Sequence, residues 1–139
     1  MSELRLTGLT RGRDSVSWDE IAALPGAFRH IDLIVGDAVG DRVPVAAIVD
    51  LADPSSDAAF CTVVADNDAY TASIPITDLR NGGWLAFRLN GGPLPTDKGG
   101  PLRLTVVQGK TMCWNVKDVA ELRFTAAREP DSVPARPTH

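Results

Sequence analysis

The chain has few of the residues on which catalytic and metal sites usually depend. Its 139 residues include only two histidines, His30 and His139, and two widely separated cysteines, Cys61 and Cys113. Without closely spaced His and Cys ligands, a conventional zinc site is not expected. Glycine-rich phosphate loops and the nucleophile elbow of hydrolases are also missing. We therefore predict no metal and assign no catalytic residue.

Apolar runs long enough to cross a membrane are missing too. No stretch approaches the ~20 apolar residues of a spanning helix, and the N-terminus shows no apolar signal region. The net charge of −4 disfavours nucleic-acid binding, because neutralising phosphates requires a basic face. The sequence predicts a soluble, cytoplasmic protein that binds neither membrane nor nucleic acid. The sequence does not identify a protein partner.

Positive charge is concentrated near the C-terminus, where residues 98–128 carry six basic and two acidic side chains. An ordinary solvated face is one explanation, and a local pocket for phosphate or another anion is the alternative. Six of the 12 glycines lie between Gly82 and Gly100. That density predicts a long irregular loop whose backbone a ligand can approach closely.

Local patterns predict short, mixed elements. Ser17 and Glu20 form a capping box that starts a helix, and apolar residues at helical spacing predict a second helix that ends at Ala52. Asn90-Gly91 is a strong turn signal between strands. Further strands are predicted at 31–35, 60–65, 70–74, 84–89, 102–107 and 122–125.

This order of elements predicts the α+β class, with a mixed, barrel-like sheet core and short helices. Residues 1–126 form the single predicted domain. Residues 127–139 contain three prolines and few apolar groups, which predicts a disordered C-terminal tail.

Several short motifs together resemble the molybdopterin-binding domain of the sulfite oxidase family, from about residue 18 to residue 125. They occur in the family's order at Ala22–Pro25 (AALP), Ala69–Pro75 (AYTASIP), Leu85–Pro95 (LAFRLNGGPLP), Gly99–Leu104 (GGPLRL) and Asn115–Lys117 (NVK). The resemblance implies a stand-alone member with the family's fold. In the family, the C-terminal motifs surround an anionic pterin and its phosphate.

The resemblance implies a set of cofactor-binding candidates in the glycine-rich, basic part of the chain. They are Lys98, Gly99, Gly100, Arg103, Lys110 and Lys117. Guanidinium and ammonium groups form charge-assisted hydrogen bonds with phosphate oxygens, and the two glycines would allow close approach of the backbone. For Arg103, an ordinary surface position on a strand is the alternative.

The chain departs from the family pattern at the position of the metal ligand. Val35 lies nearest the position of the cysteine that ligates molybdenum, and valine has no lone pair to offer. Cys61 and Cys113 fall in other segments. Lys98 replaces a family histidine, and Trp114 replaces a basic residue three places before Lys117.

The sequence therefore predicts a degenerate binding module for molybdopterin or another phosphate-bearing anion, without sulfite-oxidase-type molybdenum catalysis. Two alternatives stay open. One is an active molybdopterin-dependent oxidoreductase that holds molybdenum through the dithiolene alone. The other is a structural or interaction domain whose pocket has collapsed, with the indole of Trp114 filling the vacated space.

Overall fold

The computed structural model describes residues 3–33, 38–107 and 114–133. The strands in these ranges are β1 (Leu4–Gly8), β2 (Ser15–Val16), β3 (Phe28–Asp32), β4 (Val39–Pro44), β5 (Phe60–Ala65), β6 (Thr71–Pro75), β7 (Gly83–Leu89), β8 (Gly92–Pro93), β9 (Arg103–Val106) and β10 (Val119–Thr125). The α-helices are α1 (Trp18–Ala22), α2 (Val45–Ala52) and α3 (Ile76–Gly82). Two 3-10 turns span Asp66–Asp68 and Thr96–Lys98.

The strands form two five-stranded sheets. The first has the order β2-β1-β10-β5-β6, in which β1 and β10 run parallel and the other neighbours antiparallel. In the second, β3, β4 and β7 follow one another, and β7 also pairs with β8 and β9, all antiparallel. The mixed first sheet, the antiparallel second sheet and the short helices confirm the predicted α+β class.

One hydrophobic core joins the two sheets. Leu85 and Phe87 on β7 belong to the same buried cluster as Leu122 and Phe124 on β10. Helix α2 adds Ile48, which is also fully buried. Burying a side chain of this kind stabilises the fold by roughly 1.5–3 kcal/mol. The inward faces of β7 and β10 therefore fix the second sheet against the first.

Most local predictions are confirmed. The capping box of α1 is complete: Glu20 N donates to Ser17 Oγ at 3.1 Å, and Ser17 N donates to Glu20 Oε1 at 3.0 Å. Asn90 and Gly91 both have positive φ, as the predicted turn requires. Helix α2 begins after Pro44 and ends at Ala52 as predicted, and the cap residue Asp53 that follows it is left-handed. No helix in the described ranges is both long and apolar enough to cross a membrane.

Strand β3 begins earlier than predicted, at Phe28, and ends at Asp32. A register shift lies between Phe28 and Ile31, and His30 has a φ of 54°. A bulge interrupts the regular alternation of side chains along a strand, so the sequence pattern gives no signal for this earlier start. Residues 34–37, which include Val35, lie outside the described residues.

The segment after β10 follows the edge strand β6, although disorder is predicted from residue 127. Ser132 N donates to Thr71 O at 2.9 Å, and Thr71 N donates to Ser132 Oγ at 3.0 Å. Ser73 N donates to Asp131 Oδ2 at 2.5 Å. Polar side chains thus supply partners for the open edge of the sheet, which composition alone does not reveal. Residues 134–139 lie outside the described residues.

We expect Asp131→Ala to lower the free energy of unfolding by about 1–3 kcal/mol, because the buried N–H of Ser73 loses its acceptor. Urea unfolding measures the change, and Asp57→Ala at an exposed position is the control. Equal stability of the Asp131 variant and the parent protein would show that the segment does not hold the β6 edge.

Candidate functional site

The candidate site is built around Gly99, at the end of the Thr96–Lys98 turn. Gly99 has a φ of +86°, a conformation that favours glycine. A Cβ at this position would lie 2.9 Å from Arg103 Cδ and 2.9 Å from Lys117 Cγ. Gly99 O also accepts a hydrogen bond from Asp118 N at 2.7 Å. The structure therefore brings Gly99, Arg103 and Lys117 together, although Lys117 is distant in sequence.

Gly100 has a different local role. A Cβ on Gly100 would lie 1.7 Å from Leu94 O, so the two backbones pack in direct contact. Gly100 N donates to Pro95 O at 2.9 Å. This backbone contact explains why position 100 is glycine, and it closes the loop before β9.

Arg103 is the cation of the site with the most unusual surroundings. Its Nη1 donates to Lys98 O at 3.2 Å, while its Nε is buried and has no hydrogen-bond partner. Burial lowers the pKa of Arg103, yet a guanidinium stays charged in proteins. Among the described residues, no carboxylate forms an ion pair with it. A partly dehydrated, uncompensated cation of this kind favours the approach of an anion.

Lys98 and Lys117 are both exposed. Lys117 lines a cavity of about 400 Å³ together with Tyr70, Asn115, Asp66 and Asp118. Burial, and then the charge of Asp66, raise the pKa of Asp118. These two carboxylates repel an anion that approaches Lys117. An anionic ligand therefore binds more favourably beside Arg103. Lys98 contributes its carbonyl to the contact with Arg103.

Four residues named in the sequence analysis lie outside the described residues: Val35, Lys110, Cys113 and His139. Cys61 is fully buried on β5, and burial strongly raises the pKa of its thiol. A buried thiol that resists ionisation does not serve as a thiolate ligand. In the parts of the chain that the structure describes, no group of His, Cys, Asp and Glu residues is arranged to hold a metal ion.

Trp114 is buried and belongs to the main hydrophobic core. The basic residue that the family resemblance leads one to expect there would need a charge partner at such a depth. An indole instead packs with its apolar neighbours. This segment of the candidate site therefore contributes apolar packing where a cation is expected.

A second charged cluster, which sequence reasoning missed, lies between β3, β4 and β7. Buried Asp41 accepts from Arg88 Nη1 at 2.8 Å, from Arg29 Nη1 at 3.4 Å and from His30 N at 3.1 Å. Burial alone would raise the pKa of Asp41, but the His30 N–H and the two guanidiniums outweigh it and lower the pKa. These partners are up to 47 residues apart, so no local sequence signal joins them.

The comparisons with known proteins agree with this fold. The family model described as the oxidoreductase molybdopterin binding domain matches residues 32–133. The chain belongs to this family. A search of curated proteins found no match.

Among solved structures, the chain is similar to the sulfane dehydrogenase SoxCD from Paracoccus pantotrophus, with a TM-score of 0.70 and 18% identity. The match covers 91% of this chain but 39% of that chain. At this low sequence identity, the structural similarity establishes the fold alone. The present chain corresponds to well under half of the SoxCD chain that it matches, which contains further parts.

We expect Asp41→Asn to lower the free energy of unfolding at neutral pH by about 2 kcal/mol, because two guanidiniums lose a charged acceptor. The folded-state pKa of Asp41 lies below its ordinary value of 3.8. Its charge therefore stabilises the fold above that value, and the gain is lost as the pH falls through the folded-state pKa.

Urea unfolding of both proteins at several pH values measures this difference. The gap between Asp41→Asn and the parent protein is expected to be constant near neutrality and to close in acid. A gap that does not change down to about pH 2 would show that Asp41 acts through its shape rather than its charge.

The buried thiol gives a separate prediction. In a Cys113→Ser variant, Cys61 is the only thiol. It should not react with a thiol reagent in the folded protein and should react fully after unfolding, because only the accessible thiolate is nucleophilic. Rapid labelling under native conditions would mean that Cys61 is open to solvent.

Proposed function

We propose that the protein binds molybdopterin or another phosphate-bearing anion through Arg103 and Lys117 on the two sides of Gly99. Lys98 adds positive charge beside them, and Lys110 completes the predicted set. The proposal includes no sulfite-oxidase-type oxygen transfer at molybdenum. Membership of the molybdopterin-binding family and the fold support it, and both leave the ligand itself to be tested.

The unpaired guanidinium of Arg103 is the observation that carries the proposal. Most other arginines that the structure describes pair with a carboxylate, such as Arg80 with Asp50 at 2.8 Å and Arg88 with Asp41. Arg42, whose Nε is also buried without a partner, instead lies 4.1 Å from the ring centre of Trp84. Arg103 has only the carbonyl of Lys98 and a buried Nε without a partner. A phosphate oxygen would satisfy such a donor with a charge-assisted hydrogen bond.

The residues present fit the anionic part of the cofactor better than its metal. Arg103 and Lys117 would hold the phosphate, and the left-handed backbone of Gly99 leaves room between them. When bound, molybdopterin supplies a dithiolene that can hold molybdenum. Cys61 is too deeply buried to add a thiolate to that group. This chain's own residues therefore bind and orient an anion.

Equilibrium dialysis against purified molybdopterin tests the proposal. Arg103→Ala should weaken binding about tenfold or more, because a hydrogen bond to a charged group is worth about 1.5–3 kcal/mol. Arg103→Lys should recover part of the affinity, since an ammonium keeps the charge but loses the planar fork. Arg80→Ala, which removes a surface arginine that already pairs with Asp50, is the matched control.

An Asp118→Asn variant probes the opposing charge. Asp118 has a φ of 51°, which asparagine tolerates, so the substitution removes a carboxylate with little backbone strain. We expect it to strengthen binding severalfold at low salt. Absence of binding to the parent protein at micromolar cofactor, or equal losses in Arg103→Ala and Arg80→Ala, would overturn the proposal.

The buried Trp114 favours a second candidate, a structural or interaction domain in which the pocket has collapsed. Such a domain would bind no molybdopterin with or without Arg103.

The oxidoreductase alternative stays a prediction, and metal analysis of protein from a molybdate-fed culture tests it. The cytoplasmic location predicted from the sequence also stays a prediction.

A further inference from the structure

A cavity of about 450 Å³ opens beside Asp41, between β3, β4 and the β7–β8 turn. The β7–β8 turn lines one side, and the other lining residues are Arg29, His30, Val39, Gly40, Asp41 and Arg88. Gly40 brings β4 close to β7, since a Cβ there would lie 2.1 Å from Arg88 O. The volume lies within the range of small-molecule sites.

The charges that line this cavity do not balance. Arg29 and Arg88 each pair with the same atom, Asp41 Oδ2. Asp41 is the only carboxylate among the lining residues that the structure describes. Its other oxygen, Oδ1, accepts from His30 N. Two guanidiniums share one carboxylate, so the described lining carries one excess positive charge.

Both guanidiniums are held in place before any ligand arrives. Arg88 lies 5.0 Å from the ring centre of Trp18, and Trp18 Nε1 donates to Phe87 O at 2.8 Å. Arg29 Nη2 donates to Ala22 O at 3.1 Å. Each guanidinium has five N–H donors, and these contacts use one or two of them. Fixed donors lose little entropy when they bind an anion.

We infer that this cavity binds a small organic monocarboxylate between Arg29 and Arg88. One carboxylate matches the single excess charge, and its planar pair of oxygens fits the fork of a guanidinium. Val39 lines the cavity and is 55% exposed, so it offers apolar contact to the hydrocarbon part. Asp41 acts here as a positioning residue, because it holds both arginines toward the ligand.

Amide chemical shifts with butyrate as the probe test this assignment, and butyramide is the neutral control of equal shape. We expect saturable shifts at the amides of His30, Gly40 and Gly91 with a Kd of about 1 mM, and none with butyramide. Arg29→Ala should weaken butyrate binding about tenfold, and Arg29→Lys should weaken it less.

Two further variants separate this site from the one at Gly99. Arg103→Ala and Arg80→Ala should both bind butyrate like the parent protein, whatever their affinity for molybdopterin. Equal shifts with butyramide, or no saturation by butyrate up to about 50 mM, would overturn the inference. Shifts of the same amides by sulfate but not by butyrate would overturn the assignment to a carboxylate.

Discussion

The close packing at Gly99 and Gly100 is the constraint on which the candidate site depends. Gly100 lies against Leu94 O with no space for a Cβ, and Gly99 turns the chain in a left-handed conformation beside Arg103 and Lys117. Any larger residue at Gly100 would push the loop away from Leu94. The start of β9 would then shift, and Arg103 would move relative to Lys117. Two glycines therefore set the distance between two cations.

Strand β7 links the two charged regions of the molecule. Ala86 pairs with Arg103 across the β7–β9 ladder, and Arg88, two residues further along, pairs with Asp41 on β4. A register shift between Asp41 and Arg42 on β4 lies between these two positions of β7. Arg88 is compensated by the buried carboxylate of Asp41, whereas Arg103 has no carboxylate partner among the described residues. The cluster around Asp41 is therefore held in position by its own ion pairs, whereas the site around Gly99 lacks a counter-charge.

The sequence allowed the α+β class and most elements to be predicted, because their signals are local. Ser17 and Glu20 lie within one helical turn, and Asn90-Gly91 marks its hairpin directly. Cys61 lies in an apolar run of the sequence, and the structure buries it fully. The start of β3 could not be predicted, because His30 adopts a positive φ where a bulge interrupts the alternation.

Long-range contacts account for what sequence reasoning missed in the sites. Asp41 meets Arg88 only after β4 and β7 pair, and nothing near Asp41 in sequence indicates that partner. Asp66 approaches Lys117 and Asp118 in the same way, which places negative charge beside a predicted cation. The basic residues of the candidate site were predicted from a family resemblance, whereas their balance of charge became visible only in the fold.

The central claim is that the uncompensated guanidinium of Arg103 receives the phosphate of the ligand. A crystal structure of the protein with molybdopterin tests it most directly. The account predicts phosphate oxygens within hydrogen-bond distance of Arg103, beside Gly99. A phosphate bound instead between Arg29 and Arg88, with Arg103 untouched, would contradict it.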